Sequence, residues 1–190
     1  MIGHGLRGKS LEIFQTAFTL VCNRYDWPFI SNDIRSCYVE FMIVTILGKA
    51  WRVVGADWAG WDLEHDQGAR VEIKQSAAYQ PWTERSGAKP AKGSFGIGVA
   101  KCYYEGGWRY VELNGRRAAD LFIFAWHESD DHRNAAQWTF FVVPEAKLPS
   151  QKTIELSSLR RLADPCSAET LGETVNAALR DLPRLKTQMG

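Results

Sequence analysis

Between residues 62 and 74 three side chains stand at a spacing that hydrolytic chemistry can use: Asp62, Glu72 and Lys74. Along Arg70 to Ser76 a two-residue period puts Val71 and Ile73 on one face of an extended strand and Glu72 and Lys74 on the other. The preceding Trp61 to Glu64 shares that period. The intervening His65-Asp66-Gln67-Gly68 has hairpin chemistry, with Gly68 able to take a positive φ. A hairpin folded about Gln67 gives facing partners whose residue numbers sum to about 134, which sets Asp62 opposite Glu72 and Glu64 opposite Arg70. Like charges opposed across a sheet cost roughly 0.2–1 kcal/mol per pair, so two carboxylates kept there need a compensating cation. Mg²⁺ prefers hard oxygen ligands and takes one or two carboxylates together with waters and substrate phosphate. Lys74, two residues on and on the same face, can serve the attacking water, and the set outlines a phosphodiester hydrolysis site.

Elements able to hold these residues follow from the apolar periods. Helical spacing from Lys9 to Asn23 predicts a first helix, and Pro28 interrupts it. Ser31 offers an N-cap to a second helix over Asn32 to Leu47, stopped by Gly48 and carrying Glu40. The period then changes to two, and Trp51 to Ala56, Trp61 to Glu64 and Arg70 to Ser76 read as successive strands. Ala77 to Gly93, rich in Pro, Gly, Lys and Ser, reads as a surface loop beside the third strand. Ser94 to Ala100, Ala119 to Trp126 and Trp138 to Val143 are further strands. A helical turn near Ser158 to Leu162 and an amphipathic helix over Ala168 to Leu182 follow. The expected fold is α/β: a central mixed β-sheet flanked by α-helices, with the first two helices on one side and the C-terminal helix against the sheet or its edge. With no repeat, low-complexity tract or long linker, residues 1–190 read as a single domain, its core about 32–143 and a C-terminal helical segment about 157–182.

The order helix Glu40, strand Asp62, strand Val71-Glu72-Ile73-Lys74 and apolar strand Ala119-Asp120-Leu121-Phe122-Ile123-Phe124 resembles the PD-(D/E)xK, or restriction-endonuclease-like, nuclease superfamily. The resemblance covers about Asn32 to Val143. It implies a restriction-endonuclease-like core in which Asp62 and Glu72 hold Mg²⁺ or Mn²⁺, Glu40 assists, the backbone carbonyl of Ile73 is a further metal ligand, and Lys74 serves the attacking water. Trp61 stands before Asp62 where the family's name places a proline. The run Val71 to Ser76, with Trp82 beyond it and the later Ser157-Ser158-Leu159-Arg160-Arg161-Leu162, is similar to uncharacterised bacterial and phage members.

Other patterns read more plainly. Gly3-His4-Gly5-Leu6-Arg7-Gly8-Lys9-Ser10 matches the P-loop pattern by letter. A P-loop needs a strand feeding the glycine turn, which Met1 and Ile2 do not make, so a basic arm leading to a helix N-cap at Ser10 is the preferred reading. Gly93-Ser94-Phe95-Gly96-Ile97-Gly98 has the wrong order for a dinucleotide fingerprint, and its glycines mark a bend. His127 and His132, beside Glu128, Asp130 and Asp131, read as a solvated acidic loop rather than a metal site. Cys22, Cys37, Cys102 and Cys166 form no close pair and are expected as buried, reduced thiols. The tryptophans are expected mostly in the core.

With 45% apolar residues in 190, the chain can bury a core without disulfide or metal staples, and 24% charged residues exclude global disorder. A net charge of +1 excludes a histone-like polybasic protein, but clustered basic residues still permit nucleic-acid binding. Phosphate contacts are expected from Arg85, Lys89, Lys92, Arg160 and Arg161, and base stacking from Trp82. No stretch reaches the roughly 18 apolar residues of a membrane span, and Met1 to Ser10 lacks a signal-peptide core, so a cytoplasmic protein with no membrane partner is expected. DNA is the expected partner, and a homodimer is compatible with the sequence. The expected function is Mg²⁺-dependent DNA hydrolysis. Competing readings are a catalytically inactive nuclease-like module that binds nucleic acid or a partner protein, and a P-loop NTPase.

Overall fold

A computed structural model of the chain describes residues 31–54, 59–80, 83, 89–129 and 131–182. The helix expected over Lys9 to Asn23, the P-loop-like segment, Trp82 and Arg85 lie outside the described residues. Element α1 spans Asn32–Leu47 and is followed by three strands, β1 (Trp51–Val53), β2 (Leu63–His65) and β3 (Arg70–Ala77). Next come β4 (Ser94–Gly96), β5 (Cys102–Glu105), β6 (Arg109–Glu112), β7 (Leu121–His127) and β8 (Trp138–Pro144). The described chain closes with β9 (Thr153–Glu155), α2 (Leu156–Leu162) and α3 (Leu171–Asp181).

The protein is α/β, with a five-stranded mixed sheet in the order β1-β2-β3-β7-β8. β1, β2 and β3 form an antiparallel meander, β7 runs parallel to β3 with Val71 facing Leu121 and Ala77 facing His127, and β8 returns antiparallel to β7. All seven residues of β7 are buried. An unbroken apolar run is what a strand covered on both faces requires, which explains why Leu121 to His127 shows no alternation. The β2–β3 turn places Gly68 at φ 81°, where a Cβ would be strained.

One face of the sheet, built from Leu63, Val71, Ile73, Leu121 and Ile123, packs on Val39 and Ile43 of α1 and on Leu171, Val175 and Leu179 of α3. The C-terminal helix therefore shares the face of α1 rather than taking the opposite side or an edge. The other face carries Phe122, Phe124, Phe141 and Val143 beneath Phe95, Ile97, Ile154, Leu156 and Leu159, so β4, β9 and α2 form the second layer.

Several boundaries differ from the sequence reading. Trp61 and Asp62 precede β2 instead of belonging to it, and the strand expected over Ser94 to Ala100 ends at Gly96. Ser31 stands at the N-cap of α1, but its hydroxyl makes no capping bond. Cys37 is exposed, while Cys102 and Cys166 are half-buried, so none of the three is the buried thiol expected. His127 and His132 are fully buried, with ring centroids 4.9 Å apart, while Glu128 beside them is exposed. The apolar end of β7 carries His127 inside with it.

The sequence periods also gave no sign of Arg35, a charged residue only 1% exposed on the inner face of α1. Its Nε donates to Gln75 Oε1 at 2.5 Å, one terminal nitrogen to Gln80 Oε1 at 2.8 Å and the other to Asn32 Oδ1 at 2.9 Å. Burial lowers its pKa to about 10, which still leaves it cationic at neutral pH. These bonds tie α1 to the end of β3, and removing the guanidinium takes this donor from the half-buried Gln75 and Gln80 amides. Arg35→Ala is accordingly expected to destabilise the fold by about 2–4 kcal/mol, read as a lowered denaturant midpoint at constant slope.

Candidate active site

The β2–β3 ladder pairs Leu63 with Val71 and Glu64 with Arg70, the register anticipated from the turn. The ladder stops there, so the expected pairing of Asp62 with Glu72 is not formed and the two strands separate. Asp62 N–H still donates to Val71 O at 2.9 Å, but the next bond is made by a side chain: Ile73 N–H donates to Asp62 Oδ2 at 2.6 Å. The Asp62 carboxylate thus occupies the place that a backbone carbonyl of β2 would take, and it is held against the edge of β3 where β2 has departed. In an extended strand the N–H and C=O of one residue leave on the same side, so the Ile73 carbonyl is directed toward this edge as well.

Glu72 and Lys74 share the opposite pleat from Val71 and Ile73. They form an ion pair, with side chains 20% and 33% exposed. Both line a cavity of about 340 Å³ whose walls include Gly60, Gly98, Cys102 and Phe122. Glu40, on α1, accepts a bond from Ser36 Oγ at 3.2 Å. Burial chiefly raises its pKa, and the charges of Glu72 (raising) and Lys74 (lowering) act on it as well, so α1 brings this carboxylate into the same electrostatic neighbourhood.

Asp62 records the balance of the site. Its pKa is pushed up to about 7, first by burial and then by the negative charge of Glu72, with Glu40 adding to it; the Ile73 amide and Lys74 act in the opposite sense. Lys74 is engaged with Glu72. The local negative charge therefore exceeds what one ammonium compensates, and Asp62 either keeps a proton or accepts a second cation.

The donor set fits a hard divalent ion: carboxylate oxygens from Asp62 and Glu72, a backbone carbonyl at Ile73, and Glu40 nearby. Among the described residues no group of three or more His, Cys, Asp and Glu is arranged to hold a metal by itself. That excludes a ready-made cage of the zinc or calcium kind within those residues. It is compatible with Mg²⁺, which takes few protein ligands and keeps waters and substrate oxygens for the rest.

The surroundings are fixed by contacts that leave the acids alone. Trp61 Nε1 donates to Glu64 Oε2 at 3.1 Å, the Arg70 guanidinium lies 3.8 Å above the Trp61 ring, and Arg52 pairs with Glu64 at 2.7 Å. Arg117, which reaches the cavity wall, is spent on Ile97 O, Glu145 and Pro149 O. Glu64 and Arg117 are thus structural.

The described residues expected to touch phosphate are not brought together with the acids. Lys89 and Lys92 are exposed, as are Arg160 and Arg161 in the last turn of α2, and none lines the cavity. Sequence reasoning passed over the β5–β6 hairpin altogether, although Gly106-Gly107 between Cys102-Tyr103-Tyr104-Glu105 and Arg109-Tyr110-Val111-Glu112 is a readable hairpin signal. No helix among the described residues is long and apolar enough to cross a membrane. Compared with known proteins, the sequence matches no family model, and no curated protein is significantly similar to it.

Proposed function

We propose that the protein is a metal-dependent nuclease with a restriction-endonuclease-like core, of the PD-(D/E)xK superfamily, hydrolysing phosphodiester bonds of DNA. The observation that carries this reading is the placement of three groups along β3: the Asp62 carboxylate is bonded to the Ile73 amide, and Glu72 and Lys74, on either side of Ile73, pair on a cavity wall. A Mg²⁺ or Mn²⁺ ion held by Asp62 and Glu72, with the Ile73 carbonyl and Glu40 assisting, would supply positive charge to the diester oxygens and acidify water.

The chain's own contribution is positioning. Asp62 is fixed by the Ile73 amide and cannot swing away from β3. Lys74 Nζ, beside Glu72 on the cavity wall, is placed to orient the attacking water, whose oxygen would form the new bond to phosphorus as one ester bond breaks, the water's proton passing by way of solvent to the departing alkoxide oxygen. Lys89, Lys92, Arg160 and Arg161, exposed on the surface, would neutralise backbone phosphates flanking the cleaved position.

The deciding assay incubates the purified protein with single-stranded, double-stranded and branched DNA in Mg²⁺, in Mn²⁺ and in EDTA. Cleavage of at least one form, abolished by EDTA, is the expected result. Absence of cleavage of every form with either ion would remove the nuclease reading and favour a nucleic-acid- or protein-binding module.

A further inference from the structure

Of the tryptophans in the described residues, Trp51, Trp61, Trp126 and Trp138 are buried, whereas Trp108 is 80% exposed. It lies in the turn of the β5–β6 ribbon, closed by Gly106 at φ 64° and Gly107 at φ 79°. The ribbon has two unlike faces. Tyr103 and Val111, opposite each other, pack down on the second core layer. On the other face Cys102 stands opposite Glu112, and Tyr104 opposite Tyr110. The two tyrosines are 36% and 55% exposed and meet edge to face at 5.9 Å. The Tyr110 hydroxyl also interacts with the Cys102 thiol.

Cys102 links this aromatic face to the acids, because it lines the same cavity as Glu72 and Lys74. Residues two apart on a strand are on the order of 7 Å apart, so the exposed rings begin one such step from the cavity mouth. Exposed aromatic rings that run from beside this cavity to the tip of the ribbon suit a planar ligand that enters the cavity at one end.

From this geometry we infer that Tyr104 and Tyr110 on the outer face of the β5–β6 ribbon, together with Trp108 in its turn, form a stacking platform for unpaired bases of single-stranded DNA, feeding the strand through Cys102 into the cavity of Glu72 and Lys74. The inference rests on the nuclease reading for what happens at the end of that path. A second copy of the chain is the weaker occupant. Three partly exposed rings present roughly 300–400 Å², about half of the ~800 Å² per partner that a stable dimer buries. Charge around the rings is mixed, with Glu105 paired to Arg109 and with Lys101 and Arg116 exposed, which suits a wet, phosphate-bearing ligand better than a dry protein contact. Stacking on Tyr and Trp accepts any base, because every base has a π-face. Preference for unpaired over paired DNA follows, since a duplex buries those faces.

The test measures binding by fluorescence anisotropy in EDTA, where cleavage cannot interfere. Wild type, Trp108→Ala, Tyr110→Ala, Trp108→Phe and Tyr110→Phe are each titrated with a labelled single-stranded oligonucleotide and with a blunt-ended duplex lacking unpaired bases. The exposed positions leave the fold intact, which thermal melts verify. Each alanine variant is expected to weaken single-strand binding by about tenfold or more. Duplex binding should stay within about twofold, and the phenylalanine variants should retain most of the single-strand affinity. Unchanged single-strand affinity in the alanine variants overturns the inference, and so does an equal loss on duplex. Failure of wild type to bind single strands overturns it too. A wild-type dimer that Trp108→Ala converts to monomer at unaltered affinity assigns the face to a second copy instead. Because the measurement excludes metal, the expected losses in the alanine variants, found beside a wild type that never cleaves DNA, overturn the nuclease reading while leaving the platform standing.

Discussion

Asp62→Asn is expected to be more stable than wild type in EDTA and less stable in excess Mg²⁺. Asparagine keeps the shape and the acceptor for the Ile73 amide, which the structure places 2.6 Å from Asp62 Oδ2, while removing the charge opposed by Glu72 and Glu40. Relief of such repulsion at a functional site is worth about 0.5–2 kcal/mol. An ion that binds only the folded protein stabilises wild type by about 2.7 kcal/mol at a hundred times its dissociation constant, and the variant loses most of that. The pH dependence has a definite sign. The folded pKa of Asp62, about 7, lies above its ordinary value of 3.8, so the folded state binds the proton more tightly. The stability this provides is fully present below the unfolded pKa and is lost as pH rises through the folded one. Metal-free wild type should therefore melt higher near about pH 5 than near about pH 8, by an amount on the order of 2 kcal/mol, and Asp62→Asn should lack most of this slope. Melts of both proteins at the two pH values, with EDTA and with Mg²⁺, give the answer. If the variant is less stable in EDTA and Mg²⁺ raises both melting temperatures equally, the carboxylates do not share an ion.

Lys74→Ala is expected to lower the rate of DNA cleavage by about 10²–10⁴-fold, the scale of a positioned proton-transfer group, while DNA affinity changes little. The variant should fold. The Lys74–Glu72 pair is partly solvated, with side chains 33% and 20% exposed, and a pair of that kind contributes at most about 1 kcal/mol. Single-turnover cleavage with saturating protein separates the chemical step from binding. Full cleavage by Lys74→Ala would place the work on another residue and dismantle the proposed roles.

The part of the site that was legible in the sequence is the part that depends on local geometry. A two-residue period and a turn containing Gly68 are enough to fix which residues of β2 and β3 face each other, and Leu63 against Val71 is the register observed. The sequence could not show that β2 starts only after Asp62, so that the acid bonds the ladder through its side chain. Backbone pairing and side-chain pairing leave the same letters in the chain. Arg35 was invisible for a related reason: its partners Gln75 and Gln80 are 40 and 45 residues away, and no local pattern marks a distant hydrogen bond. His127 looked like the start of a polar loop because acidic residues follow it, yet β7 extends through it and the sheet buries it. The β5–β6 ribbon was readable and was missed, since its two strands are short, each ends in a glutamate, and the segment has no long apolar run.

The parallel pairing of β3 with β7 has a further consequence for how the molecule is assembled. One edge of β3 can be closed early by β2, across a turn of four residues between His65 and Arg70. The other edge must wait for a strand that lies 50 residues further along, as Val71 facing Leu121 shows. Until that loop closes, Val71 and Ile73 belong to a three-stranded ribbon with an open, hydrogen-bond-hungry border. Pairing over such a distance is entropically slow, and unpaired borders invite association between chains. The strand that gathers the three chemical groups is therefore also the one completed late, and the translation product is most exposed to misassembly before Leu121 to His127 has docked.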